Sequence, residues 1–184
     1  MQIPVLGMDP SLTNWGLASV ELNLTTGIPT TPFLQLIEPK DLAGKNIRVN
    51  SNDLWRAEQL AQVVLPACQK AKVIFAEVPV GSQSARAMAS YGICVGIMSV
   101  IRAMGIQIIE VAAIDSKKAL TGKATATKQQ MIDSAMEQYP DANWLMHGGK
   151  YVAKNEHLAD AIAAIHAGVM TPAFQNLMRL LEKV

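Results

Sequence analysis

The order of apolar segments predicts an α/β fold built on a mixed sheet, and three observations carry the prediction. Residues 3–37 hold three short runs of strand character separated by turn residues, the pattern of an antiparallel meander. Two later apolar runs, 72–78 and 107–111, each follow a helical stretch, as parallel strands do when a helix carries the chain back across a sheet. Half of the 184 residues are hydrophobic and 17% are charged, so a large core can form between sheet and helices. The expectation is a five-stranded mixed sheet, antiparallel meander first and parallel strands after, with helices on both faces. One domain should span residues 1–184.

Each element has a local reason. Residues 3–9 alternate and run into Gly7-Met8-Asp9-Pro10, where Pro10 cannot continue a central ladder. Residues 15–24 and 30–37 are the next strands, with Gly27-Ile28-Pro29 as the turn. Residues 46–53 read as a polar loop in which Ser51 to Asp53 offer helix N-caps. From Leu54, apolar residues recur at helical spacing through Ala57, Leu60, Ala61, Val64, Leu65 and Cys68, giving a helix over 54–70. Strand 72–78, helix 84–104 and strand 107–111 follow. Two shorter helices, 114–120 and 128–138, flank a polar link, and 140–154 reads as a loop. Helices over 156–169 and 172–183 complete the chain.

Composition excludes several classes. Cys68 and Cys94 lie in apolar periodic stretches and read as buried thiols of a reducing compartment, not as a disulfide framework. Sixteen Lys and Arg balance fifteen Asp and Glu, a net charge of +1, so any nucleic-acid surface must be local. The opening Met1-Gln2-Ile3-Pro4 is unlike a signal peptide, and the most apolar window, 87–101, is too short to span a bilayer. A cytoplasmic protein with no membrane partner is expected.

Three acidic residues stand out by context. Asp9 ends the first strand, Glu77 is a lone charge at the end of an apolar strand and precedes Pro79, and Asp160 interrupts an apolar helix. His157 lies one turn before Asp160 on the same helical face, with Glu156 in reach. Singly, each has an ordinary role: Asp9 as a turn residue, Glu77 in an ion pair, His157 and Asp160 as a surface pair. Together, at strand ends and on a buried face, they suggest convergence. Ionised carboxylates share a site when a cation neutralises them, and hard oxygen ligands select Mg²⁺ or Mn²⁺. Such a set suits two-metal phosphodiester hydrolysis.

The order of segments sharpens this. The run from Gly7 through Asp9-Pro10-Ser11 to Trp15-Gly16 resembles the first motif of the RuvC family of Holliday junction resolvases. The Glu77 strand, with Gly92 and Gly96 in the next helix, is similar to the second. The segment holding Lys117, Gly122 and Lys128 is similar to the basic third, and His157-Leu158-Ala159-Asp160-Ala161 to the fourth. The resemblance covers roughly residues 3–168. It implies a ribonuclease H-like fold, a homodimer, and Mg²⁺-dependent paired nicking of four-way DNA junctions, with two ions per site and Mn²⁺ as a substitute. It gives metal-ligand roles to Asp9, Glu77, His157 and Asp160, with Glu156 competing as fourth ligand. Lys117 and Lys128 would stand near the scissile phosphates, Lys128 in a catalytic role. Lys117, Lys123, Lys128, Lys150 and Lys154 would form the DNA-binding patch. A bacterial cytosol, that of a phage-infected host included, is the implied location.

Two features complete the reading. Cellular relatives commonly carry an aromatic three residues after the catalytic Glu; here Val80 holds that place, so base stacking is lost there, and residues 78–86 are closer to viral members. In helix 84–104, Ala85, Ala89, Gly92, Gly96, Ser99 and Ala103 form a stripe of small residues that permits close backbone approach, as in the central core helix of a monomer or, as the resemblance favours, against a second subunit. The competing functions are a branched-DNA nuclease of broader taste, a phosphotransferase of the actin and sugar-kinase type, and a non-catalytic junction binder. Phosphotransferases of that type need two such domains, and the chain is too short for them.

Overall fold

A computed structural model describes residues 1–181 of the protein. Strands β1 (Gln2–Asp9), β2 (Trp15–Asn23) and β3 (Phe33–Ile37) form the antiparallel meander. Helix α1 (Val49–Lys70) leads into β4 (Val73–Glu77), and α2 (Ala85–Ala103) into β5 (Gln107–Val111). The order across the sheet is β3-β2-β1-β4-β5, with β4 parallel to both β1 and β5. Then come α3 (Ala113–Thr121), α4 (Lys128–Gln138), a small hairpin of β6 (Met146–His147) and β7 (Lys150–Tyr151), α5 (Asn155–Gly168) and α6 (Pro172–Leu181). The five-stranded mixed sheet and its two helical layers match the sequence-based expectation. No helix among the described residues is long and apolar enough to cross a membrane.

Strand alternation decides which helices each residue meets. Leu6 and Met8 of β1 and Ile74 and Ala76 of β4 join Leu60 and Val64 of α1 and Ile97 and Ile101 of α2. Ile3, Val5, Val73 and Phe75 face the other way, into a core with Leu158, Ala161, Ile162 and Ile165 of α5. Asp9 and Glu77 share that second parity, so both point to the α5 side at neighbouring strand ends. Cys68 and Cys94 are fully buried on the α1–α2 side. Burial pushes both thiols up to about 12, with the Asp9 charge adding to the effect at Cys94, so both stay unreactive.

Helix α5 lies directly on the sheet backbone. A Cβ at Gly7 would overlap the carbonyl oxygen of Ala161, and one at Gly16 the carbonyl oxygen of His157. At the other end of α5, a Cβ on Gly168 would run into the Phe75 ring. Phe174 of α6 closes this end edge-on against Phe75, with ring centroids 5.2 Å apart. Three glycines thus set the height of α5 above the sheet.

The structure departs from expectation in three places. Helix α1 begins at Val49, not at 54, and Asp53 is buried within it instead of capping it. The reason is tertiary: Asp53 accepts a two-pronged ion pair from Arg86, with Arg86 Nη2 at 2.7 Å, and Arg56 also lies beside it. The supposed loop 140–154 contains the β6–β7 hairpin, turned by Gly148 and Gly149 at φ of +55° and +75°, values that suit glycine. The third strand starts at Phe33: Thr30 still pairs with Glu21, its N–H donating to the Glu21 carbonyl at 2.9 Å and its hydroxyl accepting from the Glu21 N–H at 3.0 Å, but Pro32 has no N–H with which to continue the ladder. The expected end of the last helix at Lys183 lies outside the described residues.

Two stability outcomes follow. Gly16→Ala should lower unfolding free energy by at least about 1–3 kcal/mol in urea titrations, since overpacking here meets backbone and cannot relax by a rotamer change. Asp53→Asn should cost about 1–3 kcal/mol at neutral pH. The Arg86 guanidinium holds the Asp53 carboxyl below its ordinary value. Its stabilisation is therefore complete above the ordinary carboxylate range and fades as pH falls through the lowered value. The gap between the two proteins should close in acid; a gap that widens there would contradict the assignment.

Candidate active site

The register brings the site together. Asp9 pairs across from Gly16, and Met8 lies beside Ala76, which places Glu77 at the next strand end. Gly16 seats the His157 turn of α5, so His157 is lowered onto Asp9: Nδ1 of the ring is 2.7 Å from Asp9 Oδ2. Asp160, one turn on, faces the same space. Lys128 opens α4, where Thr127 and Gln130 form a reciprocal capping box, and its Nζ meets Glu156 Oε2 at 2.8 Å. Glu156 Oε1 is 3.6 Å from the other ring nitrogen of His157.

The electrostatics report a crowd of carboxylates. Burial raises the Asp160 carboxyl to about 7, and the charges of Asp9 and Glu77 add to it. Burial also raises Glu77, Asp9 adds to that, and Lys117 opposes it. The hydrogen bond to Asp9 raises His157, with Glu156 and Asp160 contributing. Lys128 is held charged chiefly by Glu156. These groups sense one another across one shallow, half-buried site.

Of the residues expected at a site, Asp9 and His157 are in hydrogen-bond contact, and Glu77 and Asp160 lie near enough for the charge of Asp9 to act on both. Among the described residues, no three acidic, His or Cys side chains stand ready-arranged around a metal position. The donor chemistry nonetheless fits a hard divalent cation. Burial raises the Glu77 and Asp160 carboxyls and the Asp9 charge adds to both, while Lys117 opposes the rise at Glu77 and His157 opposes it at Asp160.

The basic residues divide. Lys117 and Lys128 act on the carboxylates. Lys123 is exposed in the link between α3 and α4, and Lys150 is exposed in β7. Lys154 is paired with Glu38 at the end of the meander, so it is engaged within the fold. Val80 is 99% exposed at the tip of the loop after Glu77 and offers no aromatic face. Sequence reasoning missed the Asp53–Arg86 pair, which anchors the start of α2 behind that loop. It also missed Asn155, fully buried, whose amide accepts from and donates to the Leu145 backbone at 2.9 Å each and ties the hairpin to α5. A lone Asn before the fourth motif was the signal for the second.

No protein-family model matches the chain, and no curated protein matches its sequence. Solved structures do match. RuvC of Thermus thermophilus in complex with a Holliday junction substrate superposes with a TM-score of 0.63 at 17% identity, over 95% of this chain and 96% of that one. A second RuvC structure from the same organism gives 0.58 at 18% identity, covering 96% of each chain. The yeast mitochondrial Holliday junction resolvase gives 0.53 at 12% identity, over 96% of this chain and 85% of that one. The fold is thus a ribonuclease H-like α/β fold, with Asp9 and Glu77 at neighbouring strand ends. Within that class, the fold is the one seen in RuvC resolvases.

Removing Asp160's charge should stabilise the metal-free protein. Its carboxyl is raised on folding, so folding favours the protonated form and stability declines as pH rises from the ordinary Asp range toward about 7. In chelator, Asp160→Asn should melt higher than the unmodified protein at neutral pH, with the difference shrinking in acid. A lower melting temperature at neutral pH would count against the carboxylate crowd.

Proposed function

We propose that the protein is a divalent-metal-dependent endonuclease that resolves four-way DNA junctions by paired, symmetric nicks, acting as a homodimer. The observation that carries this reading is the seating of α5, with His157 and Asp160, over Asp9 and Glu77 at neighbouring strand ends of a RuvC-like fold. Asp9, Glu77, Asp160 and His157 would hold two Mg²⁺ ions, with Mn²⁺ a substitute. When bound, the metal supplies activation of a water and charge relief at the leaving oxygen of an in-line displacement.

The chain's own groups do the rest. The carboxylates gather on rigid strand ends and a seated helix, so they need no reorganisation at the moment of reaction. Lys128 Nζ holds positive charge at the mouth of the site, where the phosphate bearing the cut would lie. Lys117 gives Glu77 a counter-charge. Lys117, Lys123, Lys128 and Lys150 would meet backbone phosphates, and Lys154 would do so only by giving up Glu38. The net charge of +1 leaves shape, more than bulk attraction, to select the junction.

The dimer reading rests on α2. Cys94, Ile97, Met98 and Ile101 bury one side of it. The opposite side exposes Met88, Val95 and Val100 around Gly92 and Gly96, and a Cβ on either glycine would meet open space. A second copy on this face would place two sites in two-fold relation, as paired cuts require.

Nick mapping on labelled mobile and fixed junctions tests the function, with linear duplex and flap controls. The expected outcome is paired symmetric nicks with Mg²⁺ or Mn²⁺ and none with Ca²⁺. Equal cutting of flaps or duplex would leave a nuclease without junction selectivity, and no cutting with either metal would leave a binding protein. Asp9→Asn, Glu77→Gln and Asp160→Asn should each abolish cutting while gel-shift affinity for the junction stays nearly unchanged. For the dimer, sedimentation should give a dimer at micromolar concentration, and Gly96→Leu should weaken it by about 1–3 kcal/mol.

A further inference from the structure

Residues 38–48 join β3 to α1 at the same end of the sheet as the carboxylates. Ile37 pairs with Trp15, and the next residue, Gly16, lies opposite Asp9. The chain therefore leaves β3 beside the candidate site and at one edge of the sheet, whereas Lys117 and Lys123 follow β5, the opposite edge strand. The connection is irregular, yet it is held. Gln59 of α1 accepts from the Lys40 N–H at 3.0 Å and donates to the Lys40 carbonyl at 2.9 Å. Asn52 accepts from the Leu42 N–H at 2.8 Å and donates to the Asp41 carboxylate at 2.8 Å. Leu42 and Ile47 are half-buried. The tip turns at Gly44 and Asn46, whose φ of +136° and +61° suit Gly and Asn.

Fixing this backbone sorts the charges. Every acid in residues 38–53 is engaged: Glu38 with Lys154, Asp41 with Arg56 at 2.6 Å, and Asp53 with Arg86 at 2.7 Å. Lys40, Lys45 and Arg48 are exposed and, among the described residues, have no carboxylate partner. Helix α1 begins here with no acid in its first turn, so its dipole adds the same sign. The surplus is local, since the whole chain carries only +1.

We propose that this loop is a second DNA contact: Lys40, Lys45 and Arg48 hold backbone phosphates of a junction arm that passes the β3 edge, while the lysines of α3 and α4 meet the strand to be cut. This rests on the junction-nuclease reading and deepens it. The loop is continuous with the strand ends where DNA would be cut, and its free cations suit a polyanion with regularly spaced phosphates. Lysine and arginine meet phosphates whatever the base sequence, so the contact positions an arm without reading it.

The test is fluorescence anisotropy with a labelled four-way junction in Ca²⁺ over a series of salt concentrations. Lys40→Ala, Lys45→Ala and Arg48→Ala should each flatten the log–log salt dependence of binding by about 1 unit, and the triple variant by about 3. Lys70→Ala with Lys72→Ala removes two exposed charges from the opposite end of the sheet and should leave the slope unchanged. Hydroxyl-radical footprints locate the contact: the triple variant should lose protection on an arm and keep it at the nicked phosphates. An unchanged slope in the triple variant overturns the proposal. So does a comparable change per charge in the Lys70/Lys72 control, which would mean diffuse attraction. Protection lost at the nick would assign these residues to the cut strand and also overturn it. The two readings fail differently. If the protein cuts the junction and the triple variant keeps the full slope, only the arm contact fails; if the protein neither binds nor cuts the junction, both fail.

Discussion

The structure depends on one contact: the backbone of α5 resting on the backbone of β1 and β2 with no side chain between them. Gly7 lies under Ala161, and Gly16 under His157. Helices ordinarily stand about 10 Å from a sheet because side chains fill the gap, as they do between packed layers generally. Here the gap is closed at one end, so a helix-borne His and Asp reach side chains that leave the sheet itself. The dense alanine content of α5, with Ala159, Ala161, Ala163 and Ala164 all buried, serves the same end. Small residues let the helix settle, and the settled helix sets the distance from His157 to Asp9.

The second dependence is electrostatic, and it opposes the first. Seating α5 brings Asp160 toward Asp9 and Glu77 in a half-buried place, where burial and mutual repulsion both disfavour ionisation. The fold tolerates this because the apolar cores on both sheet faces are continuous and the site lies at their edge. His157, Lys117 and Lys128 offset part of the charge. A site that is destabilising by itself and is relieved by cations is one that ligand binding can stabilise. It is also where pKa values are expected to be driven from their ordinary positions at a functional centre.

The fold was legible because its signals were periodic. Alternation in residues 3–9 and 15–24, helical spacing from Leu54 to Cys68, and short apolar runs at 72–78 and 107–111 each carry their own structure. What escaped was tertiary. Asp53 reads as a cap because isolated Asp residues favour helix starts; it sits inside α1 because Arg86, 33 positions away, supplies its partner. The hairpin at 146–151 was hidden by its length, since two-residue strands have no period to detect, although Gly148-Gly149 marked its turn. At the site, the acidic positions and His157 were readable as charges in apolar elements. Their contacts were not, and the role of Gly7 and Gly16 was invisible, because a glycine needed for close approach looks in sequence like one needed for a turn.

The distribution of charge carries a last step. An acidic cluster repels DNA, and a chain with a net charge of +1 has no general attraction to overcome that. Plain duplex therefore gains little by approaching the strand ends of β1 and β4. In the proposed reading, a phosphate would reach Asp9 and Glu77 productively only with cations on the carboxylates and several lysines met at once. The lysines proposed for this, Lys117, Lys123, Lys128 and Lys150, lie on four separate segments: α3, the link to α4, α4 and β7. A strand that bends or branches can touch such a spread surface more fully than a straight one. Selectivity for branched DNA would then arise from the spacing of a few local charges around a repulsive centre, with base recognition secondary, in keeping with the non-aromatic Val80 at the exposed loop tip.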